Sequence, residues 1–247
     1  MACGRRMAWR IGGASALALL LAFSAAAQAP TPPLPPPRPD RPPVQTDEAR
    51  AEKPAPGEVP AEAKAPDLDD PKAACLARLA ELGLKFESRP PVQEKSCSIE
   101  NPVLLSALAD DVQVAPPSLM ACPVAEQLSK WMKEGVAPEA ERQFQSAPTK
   151  LLIGTSYQCR DQRNGEKLSE HAFGNGVDVM GFEFAKRAPL SIDSHPENSP
   201  EATFQEAIRK AACPIFTTVL GPGSDAAHGD HLHLDLRQRK GDYRICQ

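Results

Sequence analysis

Three of the five histidines in this 247-residue chain fall within six residues, in His228-Gly-Asp230-His231-Leu-His233-Leu-Asp235-Leu236. His231, His233 and Asp235 alternate with Leu232, Leu234 and Leu236. Successive side chains on a strand point to opposite faces. The spacing therefore predicts a strand with its leucines in the core and its imidazoles turned towards a cleft. Neutral imidazole is the commonest metal ligand among side chains. A second His/Asp pair stands upstream, in Ser169-Glu-His171-Ala-Phe-Gly174-Asn175-Gly176-Val-Asp178. On one regular strand, a spacing of seven would put His171 and Asp178 on opposite faces. Gly174, Asn175 and Gly176 break that regularity and let the backbone fold so that both side chains converge. A catalytic zinc takes three protein ligands and keeps a fourth position for water. His171, Asp178 and His233 offer two nitrogens and one carboxylate, a set suited to zinc. Ser169 reads as a hydrogen-bonding support for these ligands.

Other chemistries find no footing. The string His231-x-His233-x-Asp235 shares its spacing with a metallo-β-lactamase metal motif. However, Leu236 stands where a histidine should follow, and only 11 residues remain after it. There is no G-x-S-x-G elbow, no H-E-x-x-H helix and no phosphate-cradling G-x-x-x-x-G-K-[ST] loop. His195, in Ser194-His195-Pro196, reads as a solvated loop residue with no role.

The order S-x-H-x-x-G-x-G-x-D followed by a late H-x-H resembles the zinc D-alanyl-D-alanine peptidases of the lysostaphin / D-Ala-D-Ala metallopeptidase / hedgehog superfamily. Gly176 is the one departure, standing where those enzymes usually have alanine. More closely, Tyr157-Gln-Cys-Arg160, Leu168-Ser-Glu-His-Ala-Phe-Gly-Asn175, Val219-Leu-Gly-Pro222 and the late histidine string resemble the extensin-like C-terminal domain family, over roughly residues 73–247. The resemblance implies His171, Asp178 and His233 as zinc ligands and Asp230 as general base. It implies that His231 and Arg160 stabilise the transition state, with Arg163 the fallback for Arg160. It also gives His228 a counterpart in the endopeptidase branch.

The chemistry needs a compartment. Arg5, Arg6 and Arg10 precede an apolar run at 11–23 and a small-residue stretch ending at Ala27, the layout of a signal peptide over residues 1–27. A run of thirteen residues is short for a membrane span of about 20. Membrane contact is therefore expected only through this segment, if it stays uncleaved. Residues 28–71 form a proline-rich linker. Positions 30–71 hold 14 prolines and no aromatic residue. Such a segment cannot bury enough apolar surface to fold, and reads as a semi-rigid spacer on the order of 100 Å long. Removing residues 1–27 takes away three arginines and no acid, moving the formal charge from −4 to −7. An acidic domain without a basic stripe argues against nucleic acid. Six cysteines remain: Cys75, Cys97, Cys122, Cys159, Cys213 and Cys246. An even count in an oxidising compartment predicts disulfides. Sequence proximity and the need to tie down each terminus pair them as Cys75–Cys97, Cys122–Cys159 and Cys213–Cys246.

The elements that must position these groups follow from caps and periodicity in residues 72–247. Asp70-Pro71 opens a helix to about Leu82, and Pro123 to Glu134 a second that Gly135 ends. Ser199-Pro200 caps a helix to Ala212 with Phe204, Ile208 and Ala211 inward. Lys150–Tyr157, a run from Val177, Phe216–Leu220 and His231–Arg237 read as strands. The expected class is α+β, with a small antiparallel sheet flanked by helices, as in the D-Ala-D-Ala metallopeptidase/hedgehog-like fold. The expected protein is an exported, periplasmic zinc metallopeptidase acting on peptidoglycan stem peptides or crosslinks. The alternative is a non-catalytic wall-binding module that holds zinc.

Overall fold

The computed structural model describes residues 70–162 and 165–247. The expected signal peptide, all but the last two residues of the expected linker, and Arg163 lie outside them. Among the described residues, no helix is long and apolar enough to cross a membrane.

The strands are β1 (Lys85–Ser88), β2 (Val92–Glu94), β3 (Cys97–Ile99), β4 (Pro102–Ala107), β5 (Gln113–Ala121), β6 (Pro148–Ile153), β7 (Gly176–Phe184), β8 (Leu190–Ser191), β9 (Thr218–Leu220), β10 (Leu232–Asp235) and β11 (Ile245–Cys246). Nine of them form one sheet in the order β1-β4-β5-β6-β7-β10-β9-β11, with β8 added beside β7, while β2 and β3 make a separate hairpin. The expectation of a small antiparallel sheet is corrected here, because the sheet is large and mixed. β5 runs parallel to β6, and β9 parallel to β11. Parallel neighbours need a long crossover, and residues 122–144 supply the one between β5 and β6 as helix.

That crossover is α2 (Cys122–Trp131), a π turn (Met132–Val136) and α3 (Ala137–Phe144). Gly135 does not end the helix as expected. It lies inside the π turn, where an added Cβ would stand 2.7 Å from the Cβ of Ala211. It is needed for space rather than as a stop signal. Ala211 belongs to α4 (Pro200–Ala212), which is capped by Ser199 Oγ accepting from the Ala202 amide at 3.1 Å. Phe204 and Ile208 are buried as the periodicity predicts. Trp131, fully buried, donates its indole N–H to the Ile208 carbonyl at 2.8 Å, so even this polar atom is satisfied. The first helix, α1 (Pro71–Glu81), is capped by Asp70 accepting from the Lys72 amide. It buries Leu79 and Cys75.

Three disulfides tie the elements together: Cys75–Cys122, Cys97–Cys159 and Cys213–Cys246. The third matches the pairing expected from proximity, and the first two replace it. Cys75 on α1 meets Cys122 at the start of α2 because those helices pack side by side. Cys97 on β3 is thereby left for Cys159, in the loop that runs towards the histidine motif.

Candidate metal centre

β10 is the central positioning element. It pairs antiparallel with β7, placing His233 directly opposite Asp178, and with β9, placing His233 opposite Leu220. Facing residues on neighbouring strands have Cβ atoms only about 5 Å apart. The register alone therefore brings a carboxylate from position 178 against an imidazole from position 233. The alternation is realised: Leu232 and Leu234 are buried in the core, while His231, His233 and Asp235 line a cavity of about 310 Å³.

His171 arrives differently. It sits on a short 3-10 helix, Glu170–Phe173, whose cap Ser169 accepts from the His171 amide at 3.4 Å. Ser169 supports the backbone of the ligand rather than its ring. Gly174 ends the turn at φ 59°, a left-handed conformation that glycine adopts without a steric penalty. A Cβ there would stand 2.6 Å from Ile99 Cδ1, so the turn sits tightly against β3. At Gly176, a Cβ would lie 3.3 Å from His233 Cε1 and 3.5 Å from His171 Cε1. Glycine leaves both rings clearance at this position.

The three candidate ligand atoms form a compact triangle. His171 Nε2 is 3.2 Å from Asp178 Oδ1 and 3.2 Å from His233 Nδ1, and His233 Nδ1 is 2.8 Å from Asp178 Oδ1. Bonds of about 2.0–2.1 Å to a tetrahedral ion would set such edges at about 3.3 Å, so the triangle fits a small divalent cation. The tautomers also fit. His171 Nδ1 lies 2.7 Å from the Ser156 carbonyl, which can only accept. That nitrogen therefore donates and leaves the Nε2 lone pair for the triangle. His233 Nε2 faces Asp235 Oδ2 at 3.1 Å, an orienting carboxylate behind a ligand histidine. Asp235 is itself held by the Arg237 amide at 3.0 Å.

The charges show what this packing imposes. Burial opposes ionisation of Asp178, but hydrogen bonds and charge from His171 and His233 hold it well below the usual carboxylate range. Burial likewise opposes protonation of His233, yet Asp178 and Asp235 push it up to about 9.

The remaining expected residues gather around this centre, with one rearrangement. His231 Nε2 lies 3.7 Å from Asp178 Oδ1, while its Nδ1 lies 2.9 Å from Asp230 Oδ1. Asp230, its side chain 77% exposed, stands behind the His231 ring rather than beside the triangle. His228 packs against both neighbours, its ring centre 5.2 Å from that of His231 and 5.7 Å from that of His233. It is held by Asp225 at 2.8 Å. Arg160 lines the cavity, its Nε donating to Gln158 Oε1 at 2.8 Å. His195 lies away from the cavity, with Nε2 3.1 Å from the Ser191 carbonyl. Sequence reasoning gave no role to Ser156 or Asp235, nor to Glu170, Arg237 and Arg239, which also line the cavity. The signal for three of these was present, since Asp235, Arg237 and Arg239 continue the period of two that begins at His231.

The family model described as extensin-like protein C-terminus matches residues 73–247, and the chain belongs to that family. No curated protein and no solved structure is similar to it at a significant level.

Proposed function

We propose that residues 72–247 form an exported zinc metallopeptidase-like domain that hydrolyses peptide bonds in peptidoglycan stem peptides or crosslinks. The observation that carries this reading is the triangle of His171 Nε2, Asp178 Oδ1 and His233 Nδ1 on the wall of a cavity that also holds acid–base and cationic side chains. The signal-peptide layout and three disulfides support export.

A zinc ion held there would act as a Lewis acid, polarising the scissile carbonyl and acidifying a water. The protein supplies the rest. Asp235 and the Ser156 carbonyl hold the ligand imidazoles in the tautomers that the ion requires. The Asp230–His231 pair is the proton carrier. His231 Nε2 faces the reacting side, and Asp230 stabilises the imidazolium through Nδ1–H before the proton passes to the leaving amine. Arg160 offers a planar guanidinium for the developing oxyanion or a substrate carboxylate. His228 closes the wall beside His231.

The exposure of Asp230 favours a second reading, a wall-binding module that holds zinc without turnover. Muropeptide profiling of purified sacculi by mass spectrometry separates the two. New cleavage products should appear with the zinc-loaded protein, disappear with chelator, return with zinc, and be absent with Asp230→Asn. Unchanged profiles together with retained binding to sacculi would establish the binding module and overturn the peptidase.

A further inference from the structure

The alternation that builds the metal centre does not stop at β10. His231, His233, Asp235, Arg237 and Arg239 occupy every second position of one segment, and all five line the same cavity. Arg239 is extended (φ −129°, ψ 152°), and the two arginines continue the cavity lining beyond the end of β10. At about 3.3 Å per residue, Arg237 and Arg239 lie about 13 and 20 Å along the chain from His233. The metal triangle and two guanidinium groups therefore form successive stations on one wall.

Neither guanidinium is consumed by the fold. Arg239 donates to the Thr217 carbonyl at 3.0 Å and to Thr218 Oγ1 at 2.7 Å, which anchors the side chain. A guanidinium has five N–H donors, and the rest remain available. Arg237 Nε stands 3.7 Å from Glu170 Oε1, attracted to it but beyond hydrogen-bonding distance. The acids of this cavity have other duties: Glu170 accepts from Asn175 Nδ2 at 2.6 Å, Asp178 and Asp235 flank His233, and Asp225 holds His228.

We infer that Arg237 and Arg239 form a carboxylate-recognition station, and that the site takes peptides carrying a free carboxylate on that side of the scissile bond. Arginine matches a carboxylate with two parallel charge-assisted hydrogen bonds. A peptide extended along the wall advances about 3.3–3.6 Å per residue. Arg237 reaches Glu170, one residue from His171, and Arg239 reaches Thr218, which faces Asp235 across the strands, so the carboxylate falls roughly two to four residues from the bond cut. This inference rests on the peptidase reading for the identity of the reacting bond, but its binding component can be measured without turnover.

The test uses dansyl-Gly-Gly-Gly-D-Ala-D-Ala as the free acid and as its C-terminal amide, titrated by fluorescence anisotropy against zinc-loaded protein. Zinc content and probe integrity are checked by mass spectrometry. Wild type should bind the acid about tenfold or more tighter than the amide, as expected for one hydrogen-bonded charge. The double variant Arg237→Gln/Arg239→Gln should keep its zinc and bind both probes alike, while Arg→Lys at both positions should restore part of the preference. Equal binding of acid and amide by wild type would overturn the inference. So would an undiminished preference in the double glutamine variant, which would assign the carboxylate to the metal or to Arg160. Zinc-dependent hydrolysis of both probes at equal rates would overturn the station and leave the peptidase standing. A preserved acid preference with no hydrolysis of sacculi would do the reverse.

Discussion

The two ends of the large sheet are built on opposite principles. At one end, β1, β4 and β5 bury Val103, Leu105 and Met120 completely, and the Cys75–Cys122 bridge joins the helices beside them. At the other, β7, β10 and β9 bury Asp178, His231, Asp235 and Thr218, each less than 10% exposed. Apolar burial stabilises at about 25 cal/mol per Å², whereas buried ionisable groups cost stability unless each finds a partner. The polar end meets that cost with a closed set of contacts: His171 with Ser156 and Asp178, His233 with Asp178 and Asp235. The contrast teaches where to look for function. One end is organised for stability, and the other holds in place groups that a merely stable protein would replace with leucine.

Breaking the triangle should have the largest effect. His171→Ala, Asp178→Ala and His233→Ala should each reduce bound zinc from about one per chain to near none in native mass spectrometry and abolish hydrolysis. Full occupancy in all three variants would remove the ligand assignment. Asp230→Asn should sharpen the comparison differently, keeping zinc and stability while hydrolysis falls about 10²–10⁴-fold. Activity retained by Asp230→Asn but lost in His228→Ala would move the proton carrier to His228.

At the opposite end, Leu105→Ala should cost about 2–5 kcal/mol in denaturant unfolding with zinc content unchanged. Loss of zinc from folded Leu105→Ala would show that the two ends are not independent. Asp235→Asn replaces the carboxylate behind His233 and should weaken zinc about 10–100-fold in competition with a chelating dye, leaving the fold intact. A further test is the pH dependence of the chelated protein. The His233 pKa is raised to about 9 by Asp178 and Asp235. Its stabilising protonation is thus fully present below the ordinary histidine value of about 6.5 and is lost as pH rises through 9. The Tm in chelator should fall over that window, and His233→Gln should flatten the fall. An identical pH profile in the variant would assign the loss to another group.

Much of the site was legible because its information is local. The period-two string around His233 needs only strand geometry to sort leucines from ligands, and Ser199-Pro200 needs only its own side chain to start a helix. The first four strands of the large sheet (β1, β4, β5 and β6) were harder, and only β6 was foreseen. β5 carries Pro116 and Pro117, which obscure a strand signal. Gly135 misled because its role is set by Ala211, a residue 76 positions away, and not by the local chain.

The sequence by itself determined which atoms are available for chemistry: two imidazoles, a carboxylate, and the alternation that keeps His231, His233 and Asp235 on one face. It also carried the family membership and the even complement of cysteines. Tertiary structure alone decided the rest. The register of β10 against β7 sets His233 opposite Asp178, and packing of α1 on α2 redirects Cys75 to Cys122. These are relations between residues far apart in the chain, and long-range pairing is settled by which faces can be buried together, a quantity that belongs to the folded whole and to no local segment.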